Sequence, residues 1–99
     1  MDVQQKVYRL VSRIPHGKVT TYGKIAQYIG VKSPRLIGKI LHENFDPVQV
    51  PCHRVVNAEG RVADHYAFGG ARGQSRKLRN EGIMVVDRKV DLKEFLWEK

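Results

Sequence analysis

The chain has 99 residues, a formal net charge of +8, one cysteine and a hydrophobic content of 41%. This length is typical of one small domain, and a single cysteine excludes an internal disulfide and favours a reducing compartment. The positive charge favours a polyanion such as nucleic acid as the partner, although acidic proteins and lipid surfaces also suit a basic domain. With no secretion signal or membrane-spanning run, we expect an intracellular protein without a membrane partner, cytoplasmic and nucleoid-associated or, in a eukaryote, nuclear.

Two short amphipathic segments in the first half of the chain predict a pair of helices. Thr21 can cap a helix that runs to about Ile29, and Gly30 ends it. Ser33 can cap the next helix, with Pro34 at the first position, where a missing N–H does no harm. Two helices joined by a tight glycine-containing turn, the second carrying basic residues, are typical of a helix-turn-helix.

Further elements are predicted on either side of this pair. Asp2 can cap a first helix of about twelve residues, and a basic segment over residues 71–80 predicts a last helix. Between them, residues 55–56 and 61–62 read as two strands joined by a turn at 57–60, which would form a β-hairpin, or wing.

Together these elements predict a mainly α fold with a small β wing. We expect a winged helix-turn-helix that forms a single domain over residues 1–99, without an N-terminal companion domain. Apolar residues from Ile83 onward are expected to pack back onto this domain.

The only cysteine lies in the run Pro51-Cys52-His53-Arg54-Val55. A thiolate is a strong nucleophile, and a neighbouring base or positive charge lowers the cost of forming it. Pro51 fixes its own φ and favours extended geometry before it, so Cys52 is expected at a bend outside any helix. By itself the Cys-His pair is also compatible with a structural role, in which Cys52 is a small buried hydrophobic residue and Arg54 is a surface charge.

Several runs in this sequence resemble the DNA-binding, active-site domain of the O6-alkylguanine-DNA alkyltransferases and their alkyltransferase-like relatives. The similarity covers about residues 1 to 83, in the family's order and with nearly its spacing. The matching residues are 17–26 (Gly-Lys-Val-Thr-Thr-Tyr-Gly-Lys-Ile-Ala), 35–38 (Arg-Leu-Ile-Gly), Asn44, 51–56 (Pro-Cys-His-Arg-Val-Val), 69–70 (Gly-Gly) and 81–82 (Glu-Gly).

The resemblance implies a catalytic set. Cys52 would accept the alkyl group, His53 would deprotonate the thiol through a water, and Glu81 would orient the imidazole. Asn44 would brace the active-site loop, and Tyr22 would help turn the flipped nucleotide and lend a proton to the departing guanine. The family's transfer is irreversible and requires neither a metal nor an organic cofactor.

The resemblance also implies a DNA-binding surface and a substrate pocket. Arg35 would enter the duplex from the minor groove and occupy the space of an extruded nucleotide. The other residues expected to contact DNA are Tyr22, Thr21, Ser33, Pro34, Leu36, Gly38, Lys39, Arg54 and Ala58. The residues expected to form the pocket are Val55, Tyr66, Phe68 and Gly69, with the choice of Tyr66 or Phe68 as its wall left open.

Two functions fit this pattern, and a third, a plain winged-helix DNA binder with no lesion role, would leave Arg35 and residues 51–55 without a purpose. For the first two we expect double-stranded DNA containing O6-alkylguanine to be the partner of a monomer. The first is direct repair, in which the alkyl group moves to Cys52. The second is a non-catalytic sensor that binds the lesion and flags it for nucleotide excision repair proteins, since the tail over residues 91–97 resembles the alkyltransferase-like relatives. Those relatives typically lack the cysteine, whereas this chain keeps Cys52, His53, Asn44 and Glu81.

Overall fold

Three helices pack on one another in the first half of the chain. The computed structural model describes residues 1–99, and these helices are α1 (Val3–Val11), α2 (Tyr22–Ile29) and α3 (Pro34–His42). The helix pair α2 and α3 forms the predicted helix-turn-helix, and α1 covers both of its members. The mainly α fold class is therefore confirmed.

Local capping explains where these helices begin. The Asp2 carboxylate accepts a hydrogen bond from the Gln5 backbone N–H at 2.8 Å, which closes a capping box. The Thr21 and Ser33 hydroxyls accept from backbone N–H groups three residues ahead, at 3.1 and 3.3 Å. Gly30 ends α2 with a φ of +89°, which costs glycine little. All three predicted N-caps are confirmed.

Helix α1 is shorter than the twelve residues predicted. After Val11 the chain tightens into turns in which each N–H bonds the carbonyl three residues back, and these turns carry Ile14 into the core at 1% exposure. The helical spacing of apolar residues therefore predicted the burial of Ile14 correctly, but it placed the end of the helix too late.

The first sheet differs from the predicted wing. Strand β1 (Thr20–Thr21) pairs in parallel with β2 (Val55–Val56), so the segment after the cysteine joins the chain before α2. The turn at residues 57–60 does form, but Arg61 pairs with Lys89 further along the chain. The prediction of a hairpin between residues 55–56 and 61–62 was wrong, because both segments find partners distant in sequence.

The second half contains α4 (Gly70–Asn80), the strands β3 (Val85–Val86) and β4 (Lys89–Val90), and the short helix α5 (Leu92–Phe95). The two strands form the antiparallel hairpin of the molecule. The tail then returns to the residue before β1, where the Trp97 backbone N–H donates to the Val19 carbonyl at 2.7 Å. The expectation that the tail packs onto the domain is confirmed.

Strand β2 separates two apolar clusters. Val55 packs into the cluster formed by the first three helices, and Val56 into the cluster under α4 and the hairpin. Successive side chains of a strand point to opposite faces, so one two-residue strand contributes to both cores. Cys52 belongs to the first cluster and lies three residues before β2, on the segment that leads into this strand. No helix of this chain has the length and apolar character needed to cross a membrane.

Candidate active site and nucleic-acid interface

The backbone bends sharply at the residue before the cysteine. Pro51 has φ −75° and ψ 71°, and the Cys52 N–H donates to the Val50 carbonyl at 2.7 Å, which together make an inverse γ-turn. A single 3₁₀ turn over Cys52–Arg54 follows and leads into β2. The cysteine therefore lies at a bend outside the α-helices, as the proline predicts.

Asn44 connects this bend to the end of α3. Its side-chain amide donates to the Val50 carbonyl at 2.9 Å and to the Cys52 sulfur at 3.3 Å, and its oxygen accepts from the Asp46 N–H at 3.0 Å. Cys52 is only 6% exposed. Burial raises the pKa of the Cys52 thiol above its ordinary value, and the Asn44 hydrogen bond opposes that rise.

Glu81, the residue that ends α4, lies at the centre of a buried polar network. Its carboxylate contacts His53 Nε2 at 2.6 Å and the Arg54 guanidinium at 2.9 Å, and it accepts from the Gly17 N–H at 2.9 Å. Burial disfavours its ionised form, but the hydrogen bonds from Arg54, Gly17 and His53 outweigh burial and lower the pKa of Glu81 to about 2. The carboxylate is therefore ionised at neutral pH.

These contacts determine the protonation of His53. Because a carboxylate only accepts hydrogen bonds, Nε2 must carry a hydrogen. Burial lowers the pKa of His53 below its ordinary value in spite of Glu81, so the ring is neutral at neutral pH and Nδ1 carries a lone pair. Nδ1 is buried and has no hydrogen-bond partner. The ring is thus held as a base next in sequence to the thiol, although no hydrogen bond joins it to the Cys52 sulfur.

Arg54 is not placed to contact DNA. Its side chain is 16% exposed, its Nε and Nη2 bond Glu81, and its Nη1 donates to the Ile14 carbonyl at 2.7 Å. The sequence prediction of a phosphate contact was therefore wrong for Arg54, because the guanidinium turns inward to neutralise a buried carboxylate.

Gln74 on α4 is a site residue that the sequence reasoning missed. It is 1% exposed and donates to the carbonyls of His53 and Val55 at 3.0 and 2.8 Å, while its oxygen accepts from the Ala63 N–H at 2.8 Å. The available signal was its spacing, since Gln74 lies four residues before Leu78 and shares its buried face.

A cavity of about 310 Å³ opens beside the cysteine. Tyr22 from α2 and Gly38 from α3 line it together with Cys52 and Tyr66. Burial raises the pKa of the Tyr22 phenol, so its hydroxyl stays protonated at neutral pH. The other lining residues, which the sequence reasoning did not include, are Leu41, His42, Ala63, Asp64, His65 and Ala67.

The four residues predicted for the pocket are placed differently from one another. Tyr66 lines the cavity, whereas Phe68 packs edge-on behind it with ring centroids 5.7 Å apart. Val55 is fully buried in the core, and Gly69 caps α4 at a φ of +115°. Of the two aromatic candidates for the wall, the structure therefore favours Tyr66.

Helix α3 carries an exposed surface at the edge of this cavity. Arg35 lies three residues before the cavity-lining Gly38 on the same helix, and its side chain is exposed without an ion-pair partner. A Cβ at position 38 would lie 3.9 Å from the Tyr22 ring, so a methyl group added there would make an ordinary van der Waals contact. The exposed neighbours of Arg35 that the sequence assigned to DNA are Ser33, Pro34, Leu36 and Lys39.

Two other predicted DNA contacts lie elsewhere. Thr21 is 6% exposed and its hydroxyl is used to cap α2. Ala58 is exposed but borders a separate groove near the β3–β4 hairpin, away from the Cys52 cavity. Neither residue belongs to the surface formed by α3. No group of three His, Cys, Asp or Glu side chains is arranged to hold a metal ion.

Comparison with known proteins identifies the family. The family model described as the DNA-binding domain of 6-O-methylguanine DNA methyltransferase matches residues 2–83. Alkyltransferase-like protein 1 of Schizosaccharomyces pombe is 35% identical over 99 residues, covering 94% of this chain and 92% of that protein. The methylated-DNA–protein-cysteine methyltransferase of Methanothermobacter thermautotrophicus is 35% identical over 84 residues, covering 85% of this chain and 46% of that protein.

Solved structures agree with this assignment. The crystal structure of S. pombe Atl1 in complex with damaged DNA containing O6-carboxymethylguanine superposes with a TM-score of 0.87 at 33% identity. The alignment covers 97% of this chain and 94% of that chain. The chain therefore belongs to the 6-O-methylguanine DNA methyltransferase family and carries the family's DNA-binding domain.

Proposed function

We propose that this protein repairs O6-alkylguanine in double-stranded DNA by moving the alkyl group to Cys52. The observation that carries the proposal is the position of the only cysteine, at a 310 Å³ cavity and next in sequence to an imidazole oriented by an ionised carboxylate. A lesion sensor has no use for this complete set of nucleophile, base and orienting group.

The reaction requires one bond to form and one to break. The Cys52 thiolate attacks the alkyl carbon, a sulfur–carbon bond forms, and the bond from that carbon to guanine O6 breaks with its electron pair moving onto the base. The thiol proton passes to His53 Nδ1 through a water molecule, and the Tyr22 hydroxyl at the cavity wall supplies a proton to the departing guanine. The thioether product is stable, so each protein molecule acts once.

The route into the cavity starts at helix α3. The alkylated oxygen cannot meet a protein nucleophile while its base is stacked, so the nucleotide must be extruded. Exposed Arg35 can replace the extruded base in the duplex, and the small Gly38 lets α3 approach the groove closely. The net charge of +8 supports salt-dependent binding to the phosphate backbone with little sequence preference.

A second candidate function is a sensor that binds the same lesion without transferring its alkyl group. The observation in its favour is the buried thiol, because burial raises the pKa of Cys52 and disfavours the nucleophilic thiolate. In that case the bound lesion would be passed to excision repair proteins.

Intact-protein mass spectrometry separates these functions. The protein is incubated with a duplex that contains O6-methylguanine, and we expect a mass gain of one methylene on Cys52 with guanine restored in the DNA. Cys52→Ser serves as the control and should keep lesion binding while showing no gain. Tight lesion-selective binding without a mass gain in the unmodified protein would contradict transfer and support the sensor.

A further inference from the structure

Lys77 lies behind the wall of the Cys52 cavity. It is half-buried on α4, and its Nζ donates to the Tyr66 hydroxyl at 3.0 Å. The same ammonium lies 5.4 Å from the centroid of the Tyr66 ring and 5.2 Å from that of Phe68, within cation–π range of both. No carboxylate pairs with it. The ammonium is thus held by two aromatic rings and one hydroxyl, without a counter-ion.

Tyr66 connects this lysine to the cavity that contains the sulfur, because Cys52 and Tyr66 both line it. Because the Tyr66 oxygen accepts from Lys77, its own hydrogen is free to point at Cys52. Burial raises the pKa of the Tyr66 phenol, and the neighbouring sulfur adds to the rise, so the hydroxyl remains a donor. Lys77 thus bonds the tyrosine that lines the cavity beside the sulfur, which is the atom that must carry negative charge.

The other groups near the sulfur do not supply this charge. The His53 ring is neutral and turned to Glu81, and the charge of Arg54 is neutralised by the same carboxylate. The remaining titratable groups that face the cysteine or its cavity, from every element packed around them, are Tyr8 on α1, Tyr22 on α2, His42 on α3, and Asp64, His65 and Tyr66 on the loop before α4.

We propose that Lys77 is a positioning residue of this site, whose ammonium holds Tyr66 in the cavity wall and favours the thiolate of Cys52. The inference rests on the proposed function, since such a charge matters only where the thiol reacts. The positive charge of Lys77 lowers the pKa of the thiol and opposes the effect of burial. Lys77 does not line the cavity, so it acts through Tyr66 and through space.

The test uses the reactivity of the single thiol without DNA. The full chain is modified with iodoacetamide over a range of pH, and the rate is followed by the mass of the peptide that contains Cys52, the only thiol. For Lys77→Met we expect a higher apparent thiol pKa and about tenfold slower modification at neutral pH, since one pKa unit changes the thiolate fraction tenfold. Lys77→Arg should restore most of the rate.

Two further variants separate charge from packing. Lys77→Gln keeps a hydrogen-bond donor for Tyr66 but loses the charge, so we expect it to behave like Lys77→Met. Arg76→Met removes one charge from the adjacent, exposed position of α4 and should leave the thiol pKa unchanged. A pH profile for Lys77→Met that matches the unmodified protein would overturn the proposal, as would an equal shift in Arg76→Met. Neither result depends on whether the protein transfers an alkyl group from DNA.

Discussion

The cysteine network and the exposed surface of α3 are built in opposite ways. Around Cys52, the side chains of Asn44, His53, Arg54 and Glu81 are largely buried and joined by hydrogen bonds between segments distant in sequence. On α3, Arg35 and its exposed neighbours extend into solvent and make no ion pair. One region is organised before any ligand arrives, whereas the other has its polar groups free.

This difference predicts how each region responds to substitution. A residue in the buried network supports both the fold and the chemistry, because removing one partner leaves another polar group unpaired in the interior. A residue on the α3 surface affects binding alone, since surface substitutions away from caps and buried networks change stability little. Three variants test this separation, in order of expected effect.

Glu81→Gln should produce the largest combined loss. It leaves the Arg54 guanidinium without its anionic partner and removes the charge that orients His53, so we expect about 3 kcal/mol of destabilisation together with much slower methyl transfer. Chemical denaturation measures the first effect and single-turnover mass spectrometry the second. Glu59→Gln, at an exposed turn, removes the same charge and should change neither.

The pH dependence of stability provides an independent check of the same carboxylate. Its pKa is lowered to about 2 in the folded protein, against an ordinary value of 4.5, so the folded state favours the ionised form. This contribution is fully present above about pH 4.5 and is lost as the pH falls towards 2. The acid-induced loss should therefore be smaller in Glu81→Gln; an identical acid profile would mean that the network contributes nothing to folding.

Arg35→Ala should separate binding from folding. The side chain has no ion-pair partner in the fold, so we expect a change within about 0.5 kcal/mol in unfolding free energy. Loss of the group that replaces the extruded base should weaken extrusion about tenfold, measured with a fluorescent base analogue opposite the α3 surface. Arg13→Ala removes the same charge away from the cavity, and an equal loss there would mean that Arg35 contributes only to the overall charge.

Gly38→Ala should give the smallest effect, and with opposite signs for folding and binding. The added Cβ would meet the Tyr22 ring at 3.9 Å, an ordinary contact, so better helix propensity should raise stability by about 0.5 kcal/mol. The same methyl group narrows the cavity and should reduce lesion binding a few-fold. Gly73→Ala makes a matched contrast, because its Cβ would lie 2.6 Å from the Phe68 carbonyl oxygen and should destabilise the fold.

Features determined by neighbours in sequence were predictable. The caps at Asp2, Thr21 and Ser33 depend on bonds that span three residues, and the bend at Pro51 depends on one ring. The pairing of β2 was not predictable in this way. Two valines after the cysteine are compatible with a hairpin or with a parallel partner, and the choice of β1 depends on how α2 and α3 pack.

The direction of a side chain was harder to predict than the element that carries it. Arg54 and Arg35 are both arginines beside motif residues, yet one neutralises a buried carboxylate and the other is exposed. Gln74 and Lys77 lie on a helix that reads as polar and basic, and only the fold shows that both reach the cysteine's surroundings. Such residues become visible only when segments distant in sequence are brought together.

The return of the tail to Val19 determines which backbone groups beside the first sheet are hydrogen-bonded. Strand β1 pairs with β2, and the residue before it, Val19, is bridged by Leu96, with the Trp97 amide bonded to the Val19 carbonyl. Without the tail, the Val19 amide and carbonyl would be left unpaired directly before β1, and unpaired groups beside a strand favour intermolecular strand addition. The segment beyond the region matched to the family thus completes the backbone hydrogen bonds of Val19, directly before the strand that leads into α2.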